Sequence, residues 1–144
     1  MINEFSAGAI IFTIENNEIL YLLLDCKSRY DFVKGNIIKG ETEKETAIRE
    51  IEEETGIHDL KFIENFKEVI EHNYRWENDF FHKKIAFFLA ETKTRDVKIS
   101  FEHFGYKWCD YNEAMRLLKF RNTRELLKKV HELLTGVVEK VSNK

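Results

Sequence analysis

The stretch Thr42–Gly56 constrains this chain more than any other, because both of its ends carry helix punctuation. Thr42 followed three residues later by Glu45 forms a capping box, in which two side chains satisfy the free amides that open a helix. Gly56 follows the last periodic residue and suits a left-handed C-terminal cap. The spacing predicts a helix over Glu43–Thr55. At about 100° per residue, Ala47, Ile48, Ile51 and Thr55 form one arc that faces a core, while Glu50, Glu53 and Glu54 share a different face and Glu52 points to solvent.

Three carboxylates within one turn repel one another by roughly 0.2–0.5 kcal/mol per i,i+4 pair. They also sit at the negative end of the helix dipole. A sequence that keeps both penalties on one face implies a cation there, and all-oxygen donors favour Mg2+, with Mn2+ as a substitute, over zinc. Arg49 precedes Glu53 by one turn and can pair with it, fixing its orientation. Read blandly, a Glu-rich helix is only a solvated surface. Against that stand two glycines, one arginine and two apolar positions at fixed offsets around the same acids.

The segment GNIIKGETEKETAIREIEEETGI, Gly35–Ile57, resembles the Nudix hydrolase signature at every fixed position: Gly35, five residues, Glu41, seven residues, then Arg49-Glu50-Ile51-Glu52-Glu53-Glu54-Thr55-Gly56-Ile57. That resemblance implies metal-dependent cleavage of a diphosphate linkage.

Length fits one domain spanning 1–144 with a single core. With 43% hydrophobic and 34% charged residues the chain reads as globular, and a net charge of −3 offers no general attraction to nucleic acid or membrane. A phosphate-bearing partner must therefore be bound locally. The N-terminus has no basic-then-apolar leader pattern and no run approaches about 18 apolar residues, so a cytoplasmic setting is expected. Cys26 and Cys109 lie far apart without ligand spacing and read as reduced thiols.

Phe5–Ile14 and Ile19–Leu24 read as strands joined by the turn Glu15-Asn16-Asn17-Glu18. Tyr30–Ile38 leads into the helix. Lys61–Ile70 and Lys83–Ala90 read as strands linked by a polar and aromatic loop around Glu71–Phe81, and Val97–Ser100 with Tyr106–Trp108 as a further extended pair. Tyr111–Leu118 and Thr123–Leu134 carry helical spacing, the second with Asn122 and Glu125 as a cap. Thr135–Lys144 is polar and expected to fray. Strands followed by helices, with one helix inserted, define an α+β layered domain. The Nudix resemblance sharpens this to an α/β/α sandwich around a central mixed sheet.

Beyond the signature, FSAGAIIF, DFVKGNIIKGE, RDVKISFEHFGYKW and EAMRLLKFRNTRELLKKVHELL resemble the asymmetrical diadenosine tetraphosphate hydrolases within that family. The resemblance implies hydrolysis of bis(5′-nucleosyl) tetraphosphates to a nucleoside triphosphate and a monophosphate. It implies Glu50, Glu53 and Glu54 as holders of Mg2+, with Glu102 reaching the same site from a loop. Lys34 and Gly35 would meet the phosphate chain, and Tyr74 would stack on a nucleobase; Tyr30, Tyr106 and Phe120 are weaker stacking candidates. His103 beside Glu102 is a phosphate contact by position. Glu54 is one candidate proton acceptor. Val33 and Lys39 stand where such enzymes commonly carry proline, which loosens a loop and lets Lys39 add a phosphate contact. Trp108 reads as structural, and His58, His72, His82 and His131 show no ligand spacing.

Three rival functions share the signature. An RNA 5′-pyrophosphohydrolase needs a groove for several nucleotides, and no basic-aromatic cluster stands out along the chain. Cleansing of oxidised nucleoside triphosphates by pyrophosphate release is a second. A non-catalytic nucleotide-sensing module is a third, disfavoured because all the acidic positions are kept. Under every enzymatic reading the partner is a small nucleotide, with no membrane and no obligate protein partner inferred.

Overall fold

A computed structural model describes residues 1–142. Its centre is β1 (Ile2–Glu15), a long strand in which successive side chains serve opposite faces. Ile10 and Phe12 enter one apolar cluster, whereas Ala9 and Ile11 enter another. β2 (Glu18–Asp25) repeats the division, sending Tyr21 and Leu23 to the first cluster and Leu22 and Leu24 to the second. The two strands meet at Asn16 and Asn17, both with positive φ (51° and 66°), as a two-residue hairpin of this hand requires.

The remaining strands build outward: β3 (Tyr30–Asp31), β4 (Val33–Asn36), β5 (Lys61–Phe62), β6 (Glu68–Trp76), β7 (Asp79–Glu91) and β8 (Gly105–Cys109). They form a mixed eight-stranded sheet in which β1 pairs antiparallel with β2 and β4 but parallel with β7. α1 (Glu43–Thr55) contributes Ile51 to the second cluster. α2 (Tyr111–Leu117) and α3 (Arg121–Ser142) contribute Ala114, Leu126, Leu127 and Val130 to the first. The result is the expected α/β/α sandwich, one helix on one face and two on the other. No helix is long and apolar enough to cross a membrane among the described residues.

Five local expectations change. Glu71–Phe81 is not a loop: β6 runs through it and turns back at Glu77 and Asn78 into β7, with Trp76 opposite Asp79. Nearly all of β6 is exposed, so backbone pairing with β7 orders it without an apolar alternation to announce it. Lys61–Ile70 divides into β5 and the start of β6. Val97–Ser100 joins no strand; Val97 is buried in the second cluster and Lys98 donates its backbone N–H to Thr55 O at 2.9 Å. Asn122 does not cap α3, which begins one residue earlier; its amide reaches Glu71 O at 3.4 Å, and Glu125 pairs with Arg121. α3 is helical to Ser142, so Thr135–Ser142 is not a frayed coil, and Asn143–Lys144 lie outside the described residues.

Candidate active site

α1 begins and ends where its punctuation requires. Thr42 accepts from the Glu45 N–H at 3.1 Å, the Glu45 carboxylate accepts from the Thr42 N–H at 2.9 Å, and Gly56 closes the helix at φ 73°. With Ala47, Ile51 and Thr55 buried against the sheet, the neighbouring acids are graded by depth. The Glu54 side chain is 10% exposed, Glu50 14% and Glu53 60%. The three share a side of the helix, but only two of them are sunk. Glu52 faces solvent as expected, 3.3 Å from His58.

Arg49 gathers this face. Its Nη1 donates to Glu50 at 2.9 Å and to Glu53 at 3.2 Å, so the expected one-turn pair is present. Its shorter contact is to Glu41, from Nε at 2.8 Å, with Nη2 adding Glu41 at 3.1 Å and Asn36 O at 3.0 Å. Glu41 also accepts from Thr46 Oγ1 at 2.9 Å and the Ile38 N–H at 3.1 Å. The hydrogen bond from Arg49 is the main cause holding the Glu41 carboxyl down at about 2. Glu41 stood at a fixed signature position in the sequence, and its role as the brace of Arg49 went unread there.

Gly35 is required by proximity. A Cβ built there would fall among the carboxyl atoms of Glu50, so Glu50 can hold its present position only if residue 35 has no side chain. Lys34, one residue earlier, reaches Asp31 at 3.0 Å.

Glu54 carries the strongest electrostatic signal. Burial first, then the charge of Glu50, raise its carboxyl to about 8, and Oε2 is buried without a hydrogen-bond partner. Glu50 is raised as well, by burial, against the pull of Arg49. His103 Nε2 lies 3.7 Å from Glu54 Oε1, while Nδ1 lies 3.2 Å from Ser100 Oγ. Glu102 is exposed beside it, and its charge contributes to the rise at both Glu50 and Glu54. Two sunken carboxylates with a bare oxygen form a place short of positive charge, which a hard divalent cation fits. Among the described residues no three His, Cys, Asp or Glu side chains converge closely enough to hold an ion unaided, so water or phosphate oxygens must complete its shell.

On the other face of the sheet a cleft of about 500 Å³ is lined by Arg29, Lys34, His72, Tyr74, Lys83 and Phe120, among others. Tyr74 stacks on Phe81 with centroids 4.9 Å apart and donates its hydroxyl hydrogen bond to Glu4. The Arg29 guanidinium lies 5.4 Å from the Phe120 ring centre, and its Nε is buried with no hydrogen-bond partner. Burial, reinforced by Lys34, lowers the Lys83 ammonium, and burial lowers His72. This is a basic-aromatic cluster that the linear sequence concealed, since its members come from β3–β4, the β6–β7 hairpin and the start of α3. Lys39 is not brought to it. Lys39 sits exposed on the turn Ile38–Glu41, closed by Glu41 N–H to Ile38 O at 2.9 Å with Gly40 at φ 94°. Trp108 is structural, donating Nε1–H to Arg95 O at 2.9 Å.

A helix presenting graded carboxylates on one face of a sheet, with a basic-aromatic cleft on the other, defines a hydrolase of the Nudix type. Residues 4–130 match the family model described as NUDIX domain, and the chain belongs to that family. Within it, the chain is similar to the asymmetrical bis(5′-nucleosyl)-tetraphosphatase of Sus scrofa, 34% identical over 92% of this chain and 96% of the relative. It is also similar to a solved binary complex of a C. elegans Ap4A hydrolase, with TM-score 0.83, 29% identity, and coverage of 92% of this chain and 98% of that one. A dihydroneopterin triphosphate diphosphatase of Haemophilus influenzae is 28% identical over 88% of this chain and 87% of its own.

Proposed function

We propose that this Nudix enzyme hydrolyses dinucleoside tetraphosphates asymmetrically, releasing ATP and AMP from diadenosine tetraphosphate, with Mg2+ as its cation and Mn2+ able to replace it. The observation that carries the reading is the presence in one domain of a nucleoside-sized aromatic cleft holding the cations Lys83 and Lys34 and of the sunken pair Glu50 and Glu54 on α1. The cleft's volume lies within the usual range of about 300–1,000 Å³ for small-molecule sites. We take the whole of 1–144 as one catalytic domain. Two free cysteines and a mean hydropathy of −0.45 suit a cytoplasmic setting.

Glu50, Glu53, Glu54 and Glu102 would hold the cation, in part through intervening water since no three of them converge on one point, and Arg49, braced by Glu41, keeps Glu50 and Glu53 in orientation. When bound, Mg2+ neutralises charge on phosphate oxygens and makes a coordinated water more acidic. Glu54, with one bare oxygen, is the proton acceptor for the attacking water. Lys34 holds the phosphate chain, with the Gly35 backbone at close range, and His103 and Lys39 are outlying phosphate contacts. Tyr74 takes a nucleobase against its ring. Rate enhancement then comes from alignment and from charges already in place.

The deciding experiment incubates the purified protein with diadenosine tetraphosphate and Mg2+ beside dihydroneopterin triphosphate, 5′-triphosphorylated RNA and an oxidised nucleoside triphosphate. Equimolar ATP and AMP at the highest kcat/KM supports the proposal. Preferential pyrophosphate release from any of the others overturns it in favour of that substrate.

A further inference from the structure

Phe101 is 98% accessible, the most exposed large apolar side chain among the described residues, and Phe104 is 65% accessible three positions on. Single exposed apolar residues are ordinary on a protein surface. Here two aromatic rings flank Glu102 and His103, on the loop that meets Glu54. The loop is tied down: Phe104 donates its N–H to Asp25 O at 3.0 Å and His103 to Ser100 O at 3.1 Å. Lys27 Nζ lies 5.9 Å from the Phe104 ring centre. A well-anchored frame thus presents aromatic faces to water beside the candidate reaction centre.

Phe101 stands two residues before His103, whose Nε2 lies 3.7 Å from Glu54 Oε1, so the loop that carries both rings borders the carboxylate face of α1. The Tyr74 cleft takes one nucleoside in the reading above, so a second nucleoside must be met outside it, and Phe101 and Phe104 are exposed rings on the loop beside the carboxylates.

We propose that Phe101, with Phe104 three residues on in the same loop, is a stacking platform for the second nucleobase of a dinucleoside polyphosphate, favouring two-base substrates over a nucleoside tetraphosphate of equal phosphate length. The proposal rests on the dinucleoside reading above. A flat hydrocarbon ring stacks on any base, so the platform selects for the presence of a second base more than for its identity.

The test compares kcat/KM for diadenosine tetraphosphate and adenosine 5′-tetraphosphate in the wild type, Phe101→Ala, Phe101→Trp and the double variant Phe101→Ala/Phe104→Ala. Phe101→Ala lowers the diadenosine value about fivefold to tenfold, mainly through KM, and changes the adenosine tetraphosphate value less than about twofold. Phe101→Trp retains the preference, and the double variant loses more of it. Equal losses on both substrates, or none on the dinucleotide in the double variant, overturn the platform. A wild type that ignores diadenosine tetraphosphate overturns the underlying reading and the platform together, whereas a wild type that cleaves it with unaltered variants removes the platform alone. Because Phe101 is exposed, its variants keep the wild-type melting temperature, and a shifted one assigns the ring to structure instead.

Discussion

The carboxyl group of Glu50 occupies the space that a Cβ on Gly35 would need. A side chain at residue 35 would therefore push that carboxylate aside, and the orientation of Glu50 depends on a residue outside its helix.

Gly35→Ala should displace the Glu50 side chain, the movable partner, more than the backbone. The expected outcome is a fall in kcat on the order of tenfold or more with a fold that still melts cooperatively. Steady-state kinetics beside a thermal melt check it; a large loss of melting temperature with proportionate loss of activity would mean the strand itself had moved.

Glu41→Gln removes the shortest ion pair of Arg49 and loosens the guanidinium that holds Glu50 and Glu53. Activity should fall about 10- to 100-fold, as for other residues that orient metal ligands. The native Glu41 carboxyl is held below its ordinary 4.5, at about 2. Its contribution to stability is present above 4.5 and is lost as pH falls toward 2, so acid melts of the variant should be flatter across that window.

Glu54 has the opposite sign. Its folded value of about 8 lies above its ordinary 4.5, so the folded metal-free protein keeps a proton that the unfolded chain releases. Stability is full below 4.5 and declines as pH rises through about 8. Metal-free melts should show that decline, Glu54→Gln should abolish it, and Mg2+ or Mn2+ should bind more tightly as pH rises and release protons on binding. Glu54→Gln should also lower kcat on the order of 10² or more. Calorimetry in buffers of different ionisation enthalpy reads the proton release directly.

Glu52 and Glu53 are adjacent, exposed and chemically identical, yet only Glu53 meets Arg49. Glu52→Gln should leave kcat unchanged and stability within about 0.5 kcal/mol, whereas Glu53→Gln should lower kcat at least about tenfold. Equal losses from the two variants would contradict the division of faces on α1.

Thr42→Ala removes one half of the capping box and strands the Glu45 N–H. Denaturant unfolding should show a loss of about 1 kcal/mol, with a midpoint shift and no change in slope.

What could be read before folding was local. Helix α1 was legible to the residue because capping and left-handed closure are decided within four or five positions, at Thr42, Glu45 and Gly56. The Asn16-Asn17 turn was legible for the same reason. β6 was not, because an exposed strand owes its order to backbone bonds with β7 and carries no burial pattern. The absence of a strand at Val97–Ser100 was hidden by the reverse: Val97 is buried as a strand residue would be, without a ladder.

The sequence by itself determined the chemistry on offer: a helix with acids on one side, a glycine and an arginine at set distances, and the family they define. Tertiary structure alone decided which acids matter most. Three glutamates equivalent on a helical wheel become a buried Glu54, a half-buried Glu50 and an exposed Glu53 once the sheet, Gly35 and His103 close around them. Burial strips water from a carboxylate and raises its proton affinity, and burial is a property of neighbours far away in the chain. The cleft obeys the same rule, since Arg29, Lys34, Lys83, Tyr74 and Phe120 acquire a common purpose only when β1 brings β4 and β7 to its two sides.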